Sequence, residues 1–253
     1  MLLAVVIPVF NEQETLEAII DRVLAVAPPI EPTTGVPCDR LIVLVDDGSS
    51  DSSAAMIREF GSREGFAASC HPYNRGKGAA LSTGFGLALE QGADIVLVQD
   101  ADLEYDPAEH GRVLEPILTG KADVVIGSRF LGQSHRVLYY WHFVANRMIT
   151  TLSNMLTNLN LTDVECCFKA FTGQALSELT ICERRFGVEP EIVAKVSRMR
   201  LCHDPTHPEV RSSARIFEVP VSYAGRTYEE GKKITWRDGV SALRCIVRYN
   251  LFA

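Results

Sequence analysis

Three carboxylates that follow one hydrophobic run are the residues best suited to chemistry. Residues 95–107 read IVLVQDADLEYDP, with Asp100, Asp102 and Glu104 directly after an apolar, β-branched segment. That segment predicts a strand buried on both faces, which places the acids at its carboxyl end. Alternate residues of extended backbone point the same way, so these acids can converge on Mg²⁺ or Mn²⁺, which in turn can hold a diphosphate. A solvated turn is the competing interpretation of the acids alone.

A second acidic pair, Asp46 and Asp47, closes the apolar run at residues 41–45. At the mouth of a nucleotide-binding sheet, such carboxylates accept hydrogen bonds from a ribose or from the N–H edge of a base. The alternative is the first turn of a helix, in which short polar residues cap the backbone. We expect both roles, with residues 49–51 capping the next helix and the two aspartates facing a ligand.

The segment NRGKGAAL, residues 74–81, offers backbone amides and two cations, Arg75 and Lys77, in front of a predicted helix. Amides at a helix N-terminus favour anions, so this loop is a candidate to face the phosphates or the base of a nucleotide, with Lys77 as a binding residue. It lacks the GxxxxGK[ST] spacing of a Walker loop.

Alternating strands and helices must position these residues. Strands are predicted over residues 2–9, 41–45, 66–69, 95–99 and 123–126. Helices are predicted over residues 16–24, 52–60, 77–89, 108–118 and 138–159, with a further helix at the C-terminus. The N-terminal run MLLAVVIPVFNE lacks a basic start and a cleavage site, so it is interpreted as a strand rather than a signal peptide. The alternation predicts an α/β fold whose mostly parallel sheet binds ligands at the strands' carboxyl ends.

Composition limits the classes of partner. The chain has 253 residues, 47% hydrophobic and 23% charged, which fits one large globular domain. A net charge of −7 argues against nucleic acid as a partner. Seven cysteines without framework spacing indicate reduced thiols, and the absence of Cys/His zinc spacing predicts no structural metal. No run reaches the roughly 20 apolar residues that cross a bilayer.

The helix predicted over residues 138–159 begins with a group of aromatic side chains. They are Tyr139, Tyr140, Trp141 and Phe143. These residues either belong to the core or form an amphipathic helix that lies in lipid headgroups, where Trp and Tyr are common.

The motifs together resemble a known family. VIPVFNEQETL, VLVDDGSSD, NRGKGAAL, QDADLEYDP and GSRF, in this order, are similar to family 2 glycosyltransferases of the GT-A fold, most closely the dolichol-phosphate mannose synthase-like (polyprenyl-phosphate hexosyltransferase) branch. The resemblance covers essentially the whole chain, since LTDVECCFKAF and the basic tail are also similar. It implies a Rossmann-like sheet in a catalytic domain over residues 1–225, including the interface helix, with a basic segment and helix over residues 226–253 packed on it.

The resemblance also implies roles for the matched residues. Those expected to hold the nucleotide are Pro8, Phe10, Glu12, Asp46 and Asp47. Asp100 is expected to touch the donor sugar or ribose, and Asp102 to bind the metal. Glu104 stands where many relatives have Gln, and either side chain can supply a ligand oxygen.

Acceptor binding is expected to depend on Arg129, the arginine of the GSR motif. Where close relatives often carry a second arginine in the following helix, this chain has Asn146 beside Arg147. Arg147 and Arg136 are the candidate substitutes. In the basic tail, Lys232 and Lys233 either position the acceptor phosphate or form a solvated charge run.

These roles imply a mechanism governed by charge. A divalent ion stabilises the diphosphate leaving group and takes the place of a general acid. A lipid phosphate is already anionic and needs cations to position it, whereas a hydroxyl acceptor would need a base, for which Asp163 and Glu165 are the candidates. Asp163 is equally suited to fix a loop by accepting hydrogen bonds.

The leading prediction is an inverting, metal-dependent transferase that moves a hexose from GDP-mannose or UDP-glucose to a polyprenyl or dolichyl phosphate. It would be cytoplasmic and peripheral on the inner face of the membrane, and the sequence is compatible with a homo-oligomer. The alternatives are transfer to a glycan hydroxyl, a sugar nucleotidylyltransferase, and a non-catalytic nucleotide-sugar binding protein.

Overall fold

A mostly parallel sheet forms the centre of the chain in the computed structural model, which describes residues 1–132, 136–137, 139–227, 229 and 236–252. The strands are β1 (Leu2–Val9), β2 (Asp39–Asp46), β3 (Phe66–Cys70), β4 (Ile95–Val98), β5 (Val124–Ser128), β6 (Lys169–Thr172), β7 (Arg200–Leu201), β8 (Ser212–Ser213) and β9 (Ile216–Pro220). Strands β7 and β8 pair with each other, and the other seven form the central sheet.

The central sheet has the order β3-β2-β1-β4-β6-β5-β9. The chain runs outward from β1 to β3 and then returns to place β4 on the other side of β1, so β1 lies at a topological switch between β2 and β4. These strands are parallel, as the sequence predicted, and their carboxyl ends therefore meet at one edge. Strand β6 is antiparallel to both β4 and β5, which the sequence analysis did not predict.

Helices cover both faces of this sheet. They are α1 (Leu16–Ala25), α2 (Ser53–Phe60), α3 (Lys77–Glu90), α4 (His110–Leu118), α5 (Tyr140–Thr157), α6 (Gly173–Ser177), α7 (Val188–Val196) and α8 (Trp236–Leu251), with a short 3₁₀ helix at Pro107–Glu109. Alternate residues of β1 belong to different cores: Val5 and Ile7 pack in one, and Ala4 and Val6 pack in the other. The strand is thus buried on both faces, which explains its continuous apolar sequence.

A glycine sets the distance between α3 and the sheet. A Cβ atom on Gly84 would lie 2.4 Å from the Cγ1 atom of Val6 in β1, closer than any real Cβ contact. Helix α3 therefore lies against the strand at a distance that only glycine permits. This close approach fixes the position of the loop that precedes α3.

Helices α5, α7 and α8 form a second, smaller packing unit beside the sheet. Ile149 of α5 packs with Ala242 and Ile246 of α8, while Ala194 of α7 packs with Tyr249. Residue 138, where the sequence analysis began its long helix, lies outside the described residues, and α5 begins at Tyr140. Over the described part of the chain, no helix has the length and hydropathy that crossing a membrane requires.

Candidate functional site

Asp47 fixes the loop that joins β3 to α3. Its Oδ1 atom accepts a hydrogen bond from the amide of Arg75 (2.9 Å), and its Oδ2 atom accepts one from the amide of Gly76 (2.7 Å). The ring Nδ1 of His71 lies 2.8 Å from Oδ1. The carboxylate is buried, so these contacts hold the loop firmly at the sheet edge.

Asp46 fills a similar role one residue earlier. Both of its carboxylate oxygens lie within 3.3 Å of the amide of Ser49. The two aspartates therefore shape the turns of the predicted nucleotide pocket, and direct contact with a base or ribose stays a prediction. Asp51 accepts a hydrogen bond from the amide of Ser53, the first residue of α2, in keeping with the expected cap.

The turn after β1 is joined to the turn after β2. Asn11 accepts a hydrogen bond from the amide of Ser50 (2.8 Å) and donates its own amide to Ser49 Oγ (2.9 Å). Gly48 has a φ of 72°, and a Cβ atom there would lie 2.3 Å from the carbonyl carbon of Tyr73. Only glycine allows this turn to approach the loop before α3. The half-buried Pro8 and Phe10 precede the turn at the end of β1.

Lys77, the first residue of α3, contacts the acid at the end of β4. Its Nζ atom lies 2.7 Å from Asp100 Oδ1 and 3.8 Å from Glu189 Oε1. Burial acts to lower the pKa of this lysine, but the attraction of Asp100 prevails and raises it well above its usual value. Lys77 is therefore a fixed positive charge beside Asp100.

Arg226 lies among three carboxylates, which we call the acidic cluster: Glu12, Asp102 and Glu104. Its Nη2 atom is 3.2 Å from both Glu12 Oε1 and Asp102 Oδ2, and its Nε atom is 3.5 Å from Glu104 Oε1. Burial, together with Asp100 and Glu104, raises the pKa of Asp102 to about 7. The cluster thus holds more negative charge than one guanidinium offsets. The sequence analysis placed Arg226 only in a basic tail, since no local motif links it to the acids.

Glu104 anchors the segment that precedes Arg226. Its Oε2 atom accepts a hydrogen bond from the Tyr223 hydroxyl (2.7 Å), and its Oε1 atom accepts one from the amide of Arg226 (2.8 Å). Leu103 has a φ of 64°, a strained conformation for leucine that turns the chain between the two acids. Both oxygens of the predicted metal ligand Glu104 therefore accept hydrogen bonds, while Asp102 accepts one from the amide of Glu104 at Oδ1 (3.1 Å) and contacts Arg226 at Oδ2.

This arrangement fits a divalent ion that is completed by a ligand. Among the described residues, no three His, Cys, Asp or Glu side chains form a metal site by themselves. Mg²⁺ usually takes one or two carboxylates and completes its shell with water and substrate phosphates. Asp102, a carboxylate with excess negative charge around it, meets that requirement.

Arg129 forms a buried ion pair with Asp163. Arg129 Nε lies 2.6 Å from Asp163 Oδ2, and Nη2 donates to Oδ1 at 2.8 Å. Asn146 also donates to Oδ1 (3.1 Å). The Asp163 side chain has no exposed surface, and although burial alone would raise its pKa, Arg129 lowers it below the usual value. Both oxygens are thus engaged, which favours the loop-fixing role over that of a base.

The two candidate substitutes for a second arginine differ in their surroundings. Asn146 contacts Asp163, while its neighbour Arg147 is exposed. Arg136 donates a hydrogen bond to the carbonyl of Gly225 (3.2 Å). Lys232 and Lys233 lie outside the described residues.

A buried charged network behind Asp100 was not predicted from the sequence. Lys169 of β6 pairs with Glu189 of α7, and Glu189 Oε1 has no hydrogen-bond partner among the described residues. Glu165 Oε1 is likewise buried and unpartnered, and burial with the nearby Glu189 raises the pKa of Glu165 to about 8. Finding this network requires the antiparallel placement of β6, which no sequence pattern indicated.

Comparison with known proteins places these features in a family. Residues 4–180 match the model of glycosyl transferase family 2. The chain is 30% identical over 236 residues to the undecaprenyl-phosphate 4-deoxy-4-formamido-L-arabinose transferase of Edwardsiella ictaluri, covering 90% of this chain and 62% of that protein. It is 27% identical to the polyprenol monophosphomannose synthase of Mycolicibacterium smegmatis, covering 88% and 77%. The chain thus spans less than two thirds of the arabinose transferases that it matches.

The fold also has close structural neighbours. Glucosyl-3-phosphoglycerate synthase from Mycobacterium tuberculosis, solved with Mn²⁺, UDP and glucosyl-3-phosphoglycerate, superposes with a TM-score of 0.65 at 18% identity, covering 98% of this chain and 79% of that one. This likeness confirms the predicted GT-A architecture. Since the family model spans well over half of its length, the chain belongs to glycosyl transferase family 2.

Proposed function

We propose that the protein transfers a sugar from a nucleotide sugar to the phosphate of a polyprenyl phosphate, with inversion at the anomeric carbon. The observation that carries this proposal is that both carboxylate oxygens of Asp163 accept hydrogen bonds from Arg129 and Asn146. A hydroxyl acceptor needs a base to remove its proton, whereas a phosphate oxygen is already ionised at neutral pH. Burial and the nearby Glu189 raise the pKa of Glu165, the other candidate base, to about 8, which disfavours its ionised form at neutral pH. An anionic acceptor is therefore favoured.

The nucleotide sugar is proposed to bind at the edge formed by β1, β2 and β4. The turns held by Asp46 and Asp47 would accommodate the nucleoside, between Pro8, Phe10 and Glu12 and the loop before α3. Asp100, fixed by Lys77, would orient the sugar or ribose. Mg²⁺ or Mn²⁺, held by Asp102 with Glu104 beside it, would stabilise the negative charge that develops on the departing diphosphate.

Acceptor binding is proposed to involve Arg129, whose side chain is 15% exposed beside the ring of Tyr223. In this reaction an acceptor phosphate oxygen forms a bond to the anomeric carbon, and the bond from that carbon to the nucleotide diphosphate breaks. The similarity to an undecaprenyl-phosphate transferase and to a polyprenol monophosphomannose synthase supports this class of acceptor. The donor base and the identity of the sugar stay open between GDP-mannose and UDP-glucose.

The protein is further proposed to bind the membrane surface from the cytoplasmic side. Four aromatic side chains at the start of α5 are exposed rather than in the core. They are Tyr139 at 39%, Tyr140 at 68%, Trp141 at 76% and Phe143 at 44%. Aromatic rings with a polar edge are stable at the headgroup level, where the lipid phosphate lies.

The test is incubation of the protein with membrane lipid extract, Mg²⁺ or Mn²⁺, and a panel of radiolabelled nucleotide sugars. We expect label in the organic phase that mild acid releases, as for a glycosyl phosphate. Label that resists mild acid, or that enters only a water-soluble glycan, would instead support a hydroxyl acceptor. Release of pyrophosphate from a nucleoside triphosphate would indicate a nucleotidylyltransferase.

A further inference from the structure

A surface cleft on the far side of the acidic residues proposed to bind the donor is lined by arginines. The cavity measures about 430 Å³ and lies between the loop before α3, the segment before α7, and α8. We call it the arginine cleft after the five residues that line it: Arg75, Arg184, Arg185, Arg244 and Arg248. The cleft shares the loop before α3 with the proposed donor site, but its described lining includes neither Lys77 nor any of the acids proposed to hold the nucleotide sugar.

Few negative charges offset these arginines. Glu183 is the one acidic side chain among the described lining residues, and it contacts Arg244 (2.9 Å), Arg248 (3.3 Å) and the Tyr249 hydroxyl (3.1 Å). The guanidinium groups of Arg184 and Arg185 are exposed on the opposite wall. Neighbouring arginines repel one another, and a bound anion reduces this repulsion.

The walls of the cleft are fixed by contacts of the backbone. The amide of Arg75 is bound by Asp47, and the carbonyl of Arg184 accepts a hydrogen bond from the amide of Ala79 (3.2 Å). A Cβ atom on Gly76 would lie 2.7 Å from Cγ of Arg185, so the stem of that arginine lies directly against the loop. The arginines are thus presented from anchored segments and not from free termini.

We propose that the arginine cleft is a second anion site that binds a phosphate-bearing ligand. Guanidinium groups bind phosphate oxygens through paired, charge-assisted hydrogen bonds, and several arginines together favour a diphosphate or a phosphate ester over a single carboxylate. The cavity volume is that of a small-molecule site. The phosphate belongs either to a soluble compound or to an anionic lipid headgroup, since α8 also exposes Val240 and Val247 beside the cleft.

The first test is calorimetric titration of the full chain with inorganic pyrophosphate, in EDTA and without nucleotide sugar. EDTA removes the divalent ion with which the donor site is proposed to hold a diphosphate, and the comparison of variants then reports on the arginine cleft. We expect R184Q/R185Q to bind pyrophosphate about tenfold more weakly or worse, since charge-assisted hydrogen bonds are lost. Glutamine keeps the Cβ and Cγ atoms that pack on Gly76.

Two further variants make the result decisive. R22Q/R63Q removes the same charge from exposed arginines outside the cleft and is expected to bind like wild type. R244Q/R248Q removes charge from the opposite wall and is expected to weaken binding as R184Q/R185Q does, so the test survives if either variant fails to fold. Equal affinity of all three variants for pyrophosphate would overturn the proposal.

Vesicles then separate the two sources of phosphate. If the ligand is a lipid headgroup, both cleft variants bind phosphatidylcholine vesicles containing phosphatidylglycerol more weakly than R22Q/R63Q does, and all bind pure phosphatidylcholine alike. If the ligand is soluble, the cleft variants lose pyrophosphate binding and match the control on both vesicles. Each outcome is independent of sugar transfer, so failure of the proposed transferase reaction would leave the anion site standing.

Discussion

The side chains at the edge of the sheet are held in place by polar contacts, whereas the aromatic side chains at the start of α5 are exposed to solvent. At the sheet edge, Asp46, Asp47 and Asp100 are each bound by a backbone amide or a lysine, so their positions are set before any ligand arrives. On α5, Trp141 and Phe143 are exposed, and their rings contact other aromatic rings, those of Tyr140 and Phe130. Preorganised polar groups suit a charged donor, and exposed aromatic groups suit a lipid acceptor.

The largest expected effect is at the sheet edge. Asp102→Asn should lower the transfer rate by about a hundredfold or more, because a neutral amide is a poor ligand for a hard divalent ion that contributes several kcal/mol. The measurement is label transfer to lipid in Mg²⁺ or Mn²⁺, with excess EDTA as a parallel condition.

Asp106→Asn is the matched control. Asp106 is exposed, and the side-chain oxygen of asparagine can still accept the hydrogen bond that the amide of Ala108 donates. Two results would contradict this role of Asp102: full activity of Asp102→Asn, or continued activity of the wild-type protein in excess EDTA.

The second prediction concerns the buried pair of Arg129 and Asp163. Asp163→Asn should lower the free energy of unfolding by about 3 kcal/mol or more, since it leaves a buried arginine without its counter-charge. Urea denaturation followed by circular dichroism measures this. Glu59→Gln breaks an exposed pair with Arg63 and should cost under about 1 kcal/mol. A stable Asp163→Asn variant with greatly reduced turnover would instead point to a base.

Much of the fold could be predicted from the sequence, because its strands and helices have simple patterns. Residues 2–9 were predicted as a strand, and β1 spans Leu2–Val9. Its continuous apolar run is typical of a strand buried on both faces. Strand β6 was missed because KAFT is only four residues long and begins with a lysine, which the sequence alone does not mark as buried.

The site residues that follow a strand could be predicted from the sequence. The contacts between segments that are distant in the chain could not. Asp100 and Asp102 follow β4 directly, so their shared edge could be inferred. The contact of Arg226 with Glu12 joins residues 214 positions apart, and no local pattern encodes it. The pairing of Arg129 with Asp163 likewise depends on how the chain crosses between β5 and β6.

The third prediction addresses the exposed aromatics of α5. The double variant W141A/F143A should lose transfer to long-chain polyprenyl phosphate several-fold while keeping activity on a short, water-soluble acceptor, because only the long acceptor requires docking on a membrane. Assays with both acceptors in parallel measure the ratio.

Its control is I30A/V210A, which removes exposed apolar side chains elsewhere, at Ile30 (53%) and Val210 (58%). Equal handling of both acceptors by W141A/F143A would show that these aromatics have no docking role.

The last prediction concerns Glu165, whose carboxyl oxygen Oε1 is buried and has no hydrogen-bond partner among the described residues. Its pKa is raised from 4.5 to about 8 in the folded protein, chiefly by burial and then by Glu189. Between these values the folded state binds more protons than the unfolded state, so the free energy of unfolding falls as pH rises through this window. Glutamine resembles the protonated acid and does not titrate. Glu165→Gln should therefore lose less stability than wild type between about pH 5 and about pH 8, measured by urea denaturation at each pH. Glu64→Gln, at an exposed position, should follow the wild-type dependence. If Glu165→Gln instead followed it too, the carboxyl of Glu165 would be ionised in the folded protein, and a base at this position would again be available to a hydroxyl acceptor.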